Sequence, residues 1–250
     1  MKKLTGKVTV ITGGNSGLGL AATKLFVHEG AKVAITGRNK TTLAEAAAAI
    51  GNETIAIAAD VTNPASLTAA YEKVAATWGK IDVLVVNAGI AEGAPLEHFT
   101  EQLFDSISNI NFKGTFFTVQ RALPFLNNGA SIILTGSATN EKSFATYSAY
   151  AATKAAIRSL ARSFSNELLG RSIRVNVLSP GAIDTPIYGR SGGTAAEVAG
   201  AKEYMANQLI PAKRLGTAEE IAEGFLFLAS DASKYMLGAE VVMDGGVKTL

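Results

Sequence analysis

Short runs of apolar residues recur along the chain, separated by longer stretches in which apolar residues follow helical spacing. Runs such as 83–86 are apolar at every position, which is typical of parallel strands that helices cover on both faces. We therefore expect an α/β fold, a doubly wound, parallel, seven-stranded sheet with helices on both faces. The strands are predicted at 8–12, 32–36, 54–58, 82–86, 131–135, 173–178 and 239–243.

The stretches between these strands carry helix start and stop signals. Asn63 and Pro64, for example, suit an N-cap and a first helical position. The helix predicted at 100–125 is expected to be distorted near Asn111 and Gly114. Helices are predicted at 21–30, 41–50, 64–79, 100–125, 147–169 and 218–229.

No linker composition interrupts the alternation, so we expect one domain over residues 1–250. After Pro180 the pattern loosens, and glycines and small residues become frequent. This composition predicts that the segment of about 182–210 is a mobile cover of the kind found over active sites.

Composition excludes several classes of function. The chain has no cysteine and two histidines, His28 and His98, so we expect neither disulfides nor a metal site. Its formal charge of +2 comes from scattered lysines and arginines, unlike the clustered basic surface of a nucleic-acid binder. We see no signal peptide and no apolar run near the roughly 18 residues of a membrane span. We expect a cytoplasmic, soluble protein without nucleic-acid or membrane partners.

Gly13, Gly17 and Gly19 occupy the predicted turn from the first strand into the first helix. Missing side chains there let the backbone approach a pyrophosphate, and the helix N-terminus supplies amide donors and positive dipole. Glycines alone are a weak signal, because many loops need their backbone freedom. Their place between a strand and a helix favours a Rossmann-type dinucleotide site.

The end of the second predicted strand bears on the choice of cofactor. An NAD site usually has an acidic side chain there, which accepts hydrogen bonds from the ribose 2′-hydroxyl. This chain has Gly37 followed by Arg38, and an arginine can hold a 2′-phosphate by paired, charge-assisted hydrogen bonds. We therefore favour NADP(H) over NAD(H). If Arg38 is a solvated loop residue the choice stays open, and Asn15, Ser16 or Asn39 could contact the phosphate instead.

Tyr150 and Lys154 stand four residues apart in the helix predicted at 147–169. Side chains at this spacing share a helix face, so the ammonium would lie beside the phenol. A neighbouring cation favours phenolate, so we expect the pKa of Tyr150 to lie below the ordinary value of about 10. Such a tyrosine can exchange a proton during carbonyl reduction or alcohol oxidation. An isolated Tyr-x-x-x-Lys is more often a half-buried aromatic and a solvated lysine, so this interpretation depends on the rest of the chain.

With these pieces in place, the chain resembles the short-chain dehydrogenase/reductase family of about 250 residues. The resemblance covers essentially the whole chain, and no catalytic position departs from the family pattern. It rests on matches in the family's order: TGGNSGLG at 12–19, Asp60, NAG at 87–89, Asn111, Ser137, Tyr150 with Lys154, and PG at 180–181.

The resemblance implies a role for each catalytic position. Tyr150 would be the general acid in reduction and the base in oxidation, and Ser137 would hydrogen-bond the substrate oxygen. Lys154 would lower the tyrosine pKa and hold the nicotinamide ribose, while Asn111 would keep a water-linked proton path. The cofactor-binding residues, taken with the glycine turn, would be Gly13, Asn15, Ser16, Gly17, Leu18, Gly19, Gly37, Arg38, Asn39, Asp60, Val61, Asn87, Ala88, Gly89, Tyr150, Lys154, Pro180, Gly181, Ile183 and Thr185.

Substrate identity is expected to lie in the segments 91–99, 138–146 and 182–206. Their side chains, Met205 included, predict a largely apolar pocket without a fixed charge that would demand an anionic substrate. Tyr147 has Ala151 rather than a lysine four residues on, so we assign it to the pocket wall or to packing. The predicted substrate pocket consists of Ser137, Ala138, Phe144, Tyr147, Ile187 and Tyr188.

The sequence thus predicts an NADP(H)-dependent oxidoreductase that transfers a hydride between nicotinamide and a ketone, an aldehyde or a secondary alcohol. A 3-oxoacyl-carrier-protein reductase and a sugar or steroid dehydrogenase stay open, because RLGTAEEIAEGFLFLAS at 214–230 is similar to segments in these enzymes. The alternative outside enzymes is a catalytically silent dinucleotide-sensing protein. The resemblance also implies that helices 100–125 and 147–169 pack across subunits, giving a homotetramer or, failing that, a dimer.

Overall fold

A parallel sheet of seven strands forms the centre of the computed structural model, which describes residues 2–142, 144–189 and 193–250. The spatial order is β3-β2-β1-β4-β5-β6-β7, so the chain reverses its direction of travel across the sheet between β1 and β4. This order confirms the predicted doubly wound fold. The strands are β1 (Val8–Thr12), β2 (Lys32–Gly37), β3 (Thr54–Ala58), β4 (Ile81–Val86), β5 (Leu126–Thr135), β6 (Arg174–Pro180) and β7 (Glu240–Met243).

Helices cover both faces of the sheet because successive strand residues point to opposite sides. In β1, Val10 belongs to one apolar cluster and Ile11 to the other. The Ile11 side packs against α1 (Gly17–His28), α2 (Lys40–Ile50) and α8 (Ala218–Ala229). The Val10 side packs against α3 (Pro64–Trp78), α5 (Gly114–Ala122) and α6 (Ser148–Glu167).

The helix predicted at 100–125 is interrupted, as expected, near Asn111. It consists of α4 (Glu101–Ile107), a π-helical segment (Ser108–Lys113) and α5. The wider π turn places Asn111 in the interior, where its carbonyl accepts the Thr115 hydroxyl at 2.6 Å. The predicted distortion is therefore confirmed.

The elements that differ most from the prediction are β5 and the segment after Pro180, and α1 begins at Gly17 rather than at 21. β5 begins at Leu126 rather than 131, because Ile81 of β4 pairs with Leu126 before the register shifts at Val83. The polar residues that follow Leu126 hide this start from the hydrophobic pattern.

The segment predicted only as a loose cover contains the helix α7 (Ala195–Tyr204), which continues into a π-helical turn (Met205–Leu209). None of the residues of α7 is buried, so no apolar stripe indicates it. A capping box between Thr194 and Glu197 starts the helix instead. Residues 190–192 of the predicted cover lie outside the described residues. In the ranges that the structure describes, no helix is long and apolar enough to cross a membrane.

Candidate active site

A cleft of about 960 Å³ runs along the carboxyl ends of the strands from β1 to β6. It brings together nearly all the residues predicted from the sequence, at the edge where open α/β sheets bind ligands. Gly19 and Asn111 lie behind its wall. The predicted residues that line it are Gly13, Asn15, Ser16, Gly17, Leu18, Gly37, Arg38, Asn39, Asp60, Val61, Asn87, Ala88, Gly89, Ser137, Ala138, Phe144, Tyr147, Tyr150, Lys154, Pro180, Gly181, Ile183, Thr185, Ile187, Tyr188 and Met205.

The glycine turn has no room for a side chain at Gly13 or Gly19. A Cβ on Gly13 would lie 3.1 Å from the Asn87 amide nitrogen, and the residue adopts a φ of +68°. A Cβ on Gly19 would lie 2.3 Å from the Gly13 carbonyl oxygen. Because these glycines have no side chains, the backbone at the N-terminus of α1 faces the cleft directly. This arrangement suits the pyrophosphate of a dinucleotide.

Thr12 and Asn87 join the ends of β1 and β4. The Thr12 hydroxyl accepts hydrogen bonds from the backbone amides of Asn87 and Ala88, at 2.9 and 3.0 Å. The Asn87 side chain donates to the Thr12 carbonyl oxygen at 3.0 Å. This NAG segment therefore holds the floor of the cleft together, and sequence analysis gave no indication of the part that Thr12 plays.

The end of β2 has Gly37 where an NAD site would carry a carboxylate, and a side chain there would crowd Asn15. A Cβ on Gly37 would lie 3.1 Å from the Asn15 side-chain oxygen. Asn39 is the N-cap of α2, because its side-chain oxygen accepts from the amides of Thr41 and Thr42. Arg38 is exposed at the rim of the cleft. Arg38 is thus the cationic side chain that this end of the cleft offers to an anionic group.

Further along the cleft, Asp60 follows β3 and lines the wall. One of its carboxylate oxygens accepts from the amide and the hydroxyl of Thr62, at 2.9 and 2.8 Å. The neighbouring Val61 packs so closely on α5 that a Cβ on Gly114 would lie 3.1 Å from a Val61 methyl carbon.

Tyr150, Lys154 and Ser137 meet at the other end of the cleft. Lys154 is buried, lies 5.5 Å from the centroid of the Tyr150 ring and donates to the Thr135 carbonyl oxygen at 2.8 Å. The Ser137 side chain lies close enough to the Tyr150 phenol to lower its pKa. Ser137 Oγ also accepts from the Thr139 amide at 3.2 Å and from the Thr139 hydroxyl at 2.9 Å. With its acceptor positions used in this way, the Ser137 hydroxyl has its one proton left to donate, either to the Tyr150 phenol or to a molecule in the cleft.

The protonation of this group differs from the expectation. Burial raises the pKa of Tyr150, and the neighbouring Ser137 side chain lowers it by less. The predicted lowering of the pKa of Tyr150 is therefore wrong for this structure, because removal from water outweighs the favourable contacts. Burial also lowers the pKa of Lys154 to about 8.

The Asn111 side chain hydrogen-bonds to the backbone of Ile90 and does not itself line the cleft. Its side-chain oxygen accepts from the Ile90 amide at 2.9 Å, and its side-chain nitrogen donates to the Ile90 carbonyl oxygen at 2.9 Å. Ile90 lines the cleft, so Asn111 shapes the wall from behind. The water-linked proton path implied for Asn111 stays a prediction.

The substrate end is walled by aromatic and aliphatic side chains. The ring of Tyr147 lies 6.0 Å from that of Tyr150, edge to face, so its assignment to the wall agrees with the structure. Burial, and secondarily the charges of neighbouring groups, raise the pKa of Tyr188 to about 12. Lys202 of α7 lies 5.9 Å from the Tyr188 ring centroid and pairs with Asp184 at 2.6 Å.

Cleft residues that the sequence did not single out include Thr36, Thr42, Ala59, Ile110, Gly136, Thr139, Pro186, Leu209, Ile210 and Val247.

Comparisons with known proteins agree with this geometry. The family model described as enoyl-(acyl carrier protein) reductase matches residues 13–248. "Oxidoreductase asL5" of Sarocladium schorii is 43% identical over 99% of this chain and 98% of that protein. The 3-oxoacyl-[acyl-carrier-protein] reductase FabG of Thermotoga maritima is 36% identical over 98% and 99% of the two chains.

Two further comparisons bear on the site. The NADP-dependent (R)-specific alcohol dehydrogenase of Lentilactobacillus kefiri is 34% identical over 98% of this chain and 97% of that protein. A solved short-chain dehydrogenase/reductase from Serratia marcescens superposes with a TM-score of 0.90, at 32% identity over 99% and 100% of the two chains. The chain therefore belongs to the short-chain dehydrogenase/reductase family, whose members are oxidoreductases that act on CH–OH and carbonyl groups.

Proposed function

We propose that this protein is an NADP(H)-dependent oxidoreductase that interconverts a ketone or aldehyde and the corresponding alcohol, with Tyr150 as the general acid and base. The observation that carries the proposal is that Ser137 and the buried Lys154 both lie beside the Tyr150 phenol in the cleft. This group lies in the same cleft as the glycine turn. Proton transfer and dinucleotide binding therefore share one space.

The proton steps follow from these side chains. The bound nicotinamide cofactor supplies the hydride in reduction and accepts it in oxidation. Ser137 donates a hydrogen bond to the substrate oxygen, and Tyr150 gives that oxygen its proton during reduction. Because burial raises the pKa of Tyr150, the phenol is protonated at neutral pH, which suits the role of acid. In oxidation Tyr150 takes the proton of the alcohol, a step that higher pH favours.

The cofactor preference rests on Gly37 and Arg38. No carboxylate at position 37 repels a 2′-phosphate, and Arg38 is exposed at the rim of the cleft where that phosphate would lie. The similarity to an alcohol dehydrogenase named as NADP-dependent supports the same choice. Lys154 would hold the nicotinamide ribose, and Pro180, Gly181, Ile183 and Thr185 would border the nicotinamide.

A 3-oxoacyl-carrier-protein reductase is the second candidate, supported by the similarity to the Thermotoga maritima enzyme. The aromatic wall formed by Phe144, Tyr147 and Tyr188 favours a neutral, apolar substrate over a sugar. We place the protein in the cytoplasm as a homotetramer, with the described residues 182–189 and 193–210 as a mobile cover over the substrate.

The test is a set of NADPH and NADH oxidation assays with aryl and alkyl ketones, 3-oxoacyl thioesters and keto sugars, repeated in reverse with alcohols. We expect turnover of apolar ketones with NADPH. Activity confined to 3-oxoacyl thioesters would select the second candidate. A pure chain that binds NADPH but turns over none of these compounds would instead support a dinucleotide-sensing protein.

A further inference from the structure

Four charged side chains form a closed ring of ion pairs behind the wall that carries Ser137. Arg158 pairs with Glu141 and, through Nε at 3.0 Å, with Glu240. Lys248 Nζ lies 3.1 Å from an oxygen of each carboxylate. The two positive and two negative charges cancel, and all four side chains lie outside the lining of the cleft. The ring can therefore act on the reaction only through other residues.

Glu240, the first residue of β7, connects this ring to the catalytic wall. One carboxylate oxygen pairs with Arg158 and Lys248. The other accepts hydrogen bonds from the Ser179 hydroxyl at 2.6 Å and from the side-chain nitrogen of Asn140 at 2.5 Å. Its side chain is 8% exposed. Burial raises the pKa of Glu240, but hydrogen bonds from Ser179, Asn140 and Lys248 outweigh burial and leave the pKa below its ordinary value. A buried carboxylate with this many donors holds them in one arrangement.

Asn140 links Glu240 to Ser137 through the backbone turn between them. It ends the 3₁₀ turn Ala138–Asn140, and its backbone amide donates to the Ser137 carbonyl oxygen at 3.1 Å. The same turn brings the amide and hydroxyl of Thr139 onto Ser137 Oγ. Glu240 thus holds Asn140, the last residue of the turn, and the hydrogen bonds of this turn orient the Ser137 hydroxyl.

Ser179 acts on the residue before Ser137. A Cβ on Gly136 would lie 2.3 Å from Ser179 Oγ, so this hydroxyl fills the space against the Gly136 backbone. The Gly136 amide donates to the Leu178 carbonyl oxygen at 2.8 Å in the same place. The Glu240 carboxylate therefore restrains the backbone before Ser137, through Ser179 and Gly136. It also restrains the backbone after Ser137, through Asn140.

Arg158 joins the ring to the helix that carries the proton donor. Tyr150, Lys154 and Arg158 follow one another at intervals of four residues on α6, so they share a face of the helix. The ring therefore ties the turn of Ser137 to the helix of Tyr150. The position of these two elements relative to each other sets how close the Ser137 hydroxyl lies to the Tyr150 phenol.

We propose that Glu240 is a positioning residue, which holds the turn of Ser137 against α6 so that the Ser137 hydroxyl stays beside the Tyr150 phenol. The inference rests on the proposed function, because it assigns Glu240 a part in that reaction. It gives Glu240 no chemical step of its own.

The first measurement needs no activity. Hydrogen–deuterium exchange of peptides covering residues 136–142 is compared between the parent, Glu240→Gln and Glu240→Ala. Glu240→Ala should speed exchange of the Asn140 amide by roughly tenfold or more, because the turn loses its anchor. Glu240→Gln keeps one acceptor oxygen but loses the ion pairs, so its effect should be smaller. Peptides of α1 should not change.

The second measurement uses a ketone that the parent reduces. Glu240→Ala should lower kcat by about tenfold to a hundredfold, since a misplacement of about 1 Å costs rates of this order. The Kd for NADPH should change less than about twofold. In a Ser137→Ala background, Glu240→Ala should lower kcat by less than about threefold, because its effect passes through Ser137.

The control is Asp82→Asn, which breaks the ion pair with Lys7 at the amino ends of the strands. It should lower stability while leaving kcat and exchange at 136–142 unchanged. Unchanged exchange at 136–142 in Glu240→Ala, or additive kcat losses in the double variant, would overturn the proposal. If Glu240→Ala does not fold, Glu240→Gln decides on the same measurements. A parent without turnover would instead overturn the proposed function, and exchange would still decide the positioning.

Discussion

Lys154 Nζ lies 5.5 Å from the centroid of the Tyr150 ring and donates its hydrogen bond to the Thr135 carbonyl oxygen. Helix spacing puts the two side chains on one face, and the end of β5 sets the direction of the lysine. A carbonyl oxygen does not neutralise the ammonium, so the charge remains available to a phenolate beside it. Both side chains are removed from water, which makes the pair sensitive to pH and to substitution.

Tyr150→Phe should lower turnover by about a hundredfold to ten-thousandfold, the range measured for general acids and bases. The ring and its packing remain, so the Kd for NADPH should stay close to that of the parent. Steady-state kinetics and a fluorescence titration of NADPH check both parts. Tyr147→Phe is the matched control and should keep most of the activity. A Tyr150→Phe variant with parental turnover would disprove the assignment.

Lys154→Met should harm both the rate and the affinity for the cofactor, because we assign the ammonium to the phenol and to the nicotinamide ribose. Loss of one charge-assisted hydrogen bond of roughly 1.5 kcal/mol corresponds to about a tenfold rise in the Kd for NADPH. The same titration and single-turnover rates separate the two effects. An unchanged Kd would rule out the ribose contact.

Stability should depend on pH through Lys154. Burial lowers its pKa from 10.5 to about 8, so between these values the unfolded chain binds more protons than the folded chain. The contribution of Lys154 to the free energy of unfolding therefore rises as pH rises from 8 towards 10.5, and is lost as pH falls through 8. Urea unfolding at pH 7.5 and 9.5 gives the free energy of unfolding of the parent and of Lys154→Met. The difference, Lys154→Met minus parent, should be smaller at pH 9.5 than at pH 7.5, by at most about 2 kcal/mol. Identical differences at the two pH values would contradict the lowered pKa.

Cofactor choice should follow Gly37 and Arg38. A charge-assisted bond from Arg38 to a 2′-phosphate, worth roughly 1.5 to 3 kcal/mol, corresponds to about a tenfold to hundredfold preference for NADPH. Gly37→Asp with Arg38→Leu should reverse the ratio of kcat/KM values for NADPH and NADH. Gly37→Ala controls for the 3.1 Å approach of a Cβ to the Asn15 side chain. A parent that prefers NADH would show that another group selects the cofactor.

Assembly should involve the helical layer that contains α4 and α5. Phe104, Phe112 and Phe116 are 52%, 41% and 38% exposed along this layer, which is costly for a surface that stays in water. Light scattering should give a mass of four chains, and Phe112→Asp should shift it towards smaller species. A parent that is a monomer at micromolar concentration would disprove the predicted homotetramer.

Much of the fold follows from local signals in the sequence. The apolar runs indicate each of the seven strands, and the spacing of Tyr150 and Lys154 indicates one shared helix face before any packing is known. Parallel strands bring their carboxyl ends to one edge, so Gly13, Ser137 and Pro180 could be predicted to meet. These properties depend on neighbours close in the chain or on simple rules of sheet topology.

Tertiary structure alone decided the rest. The early start of β5 depends on pairing with Ile81, and the pKa of Tyr150 depends on how completely the fold removes the phenol from water. Glu240 and Asn140 are 100 residues apart, and no periodicity or motif indicates that they touch. Such contacts arise only when strands and helices pack, because burial and long-range hydrogen bonds depend on the whole arrangement. The sequence determined which side chains could do the chemistry, and the packing decided how they are held and charged.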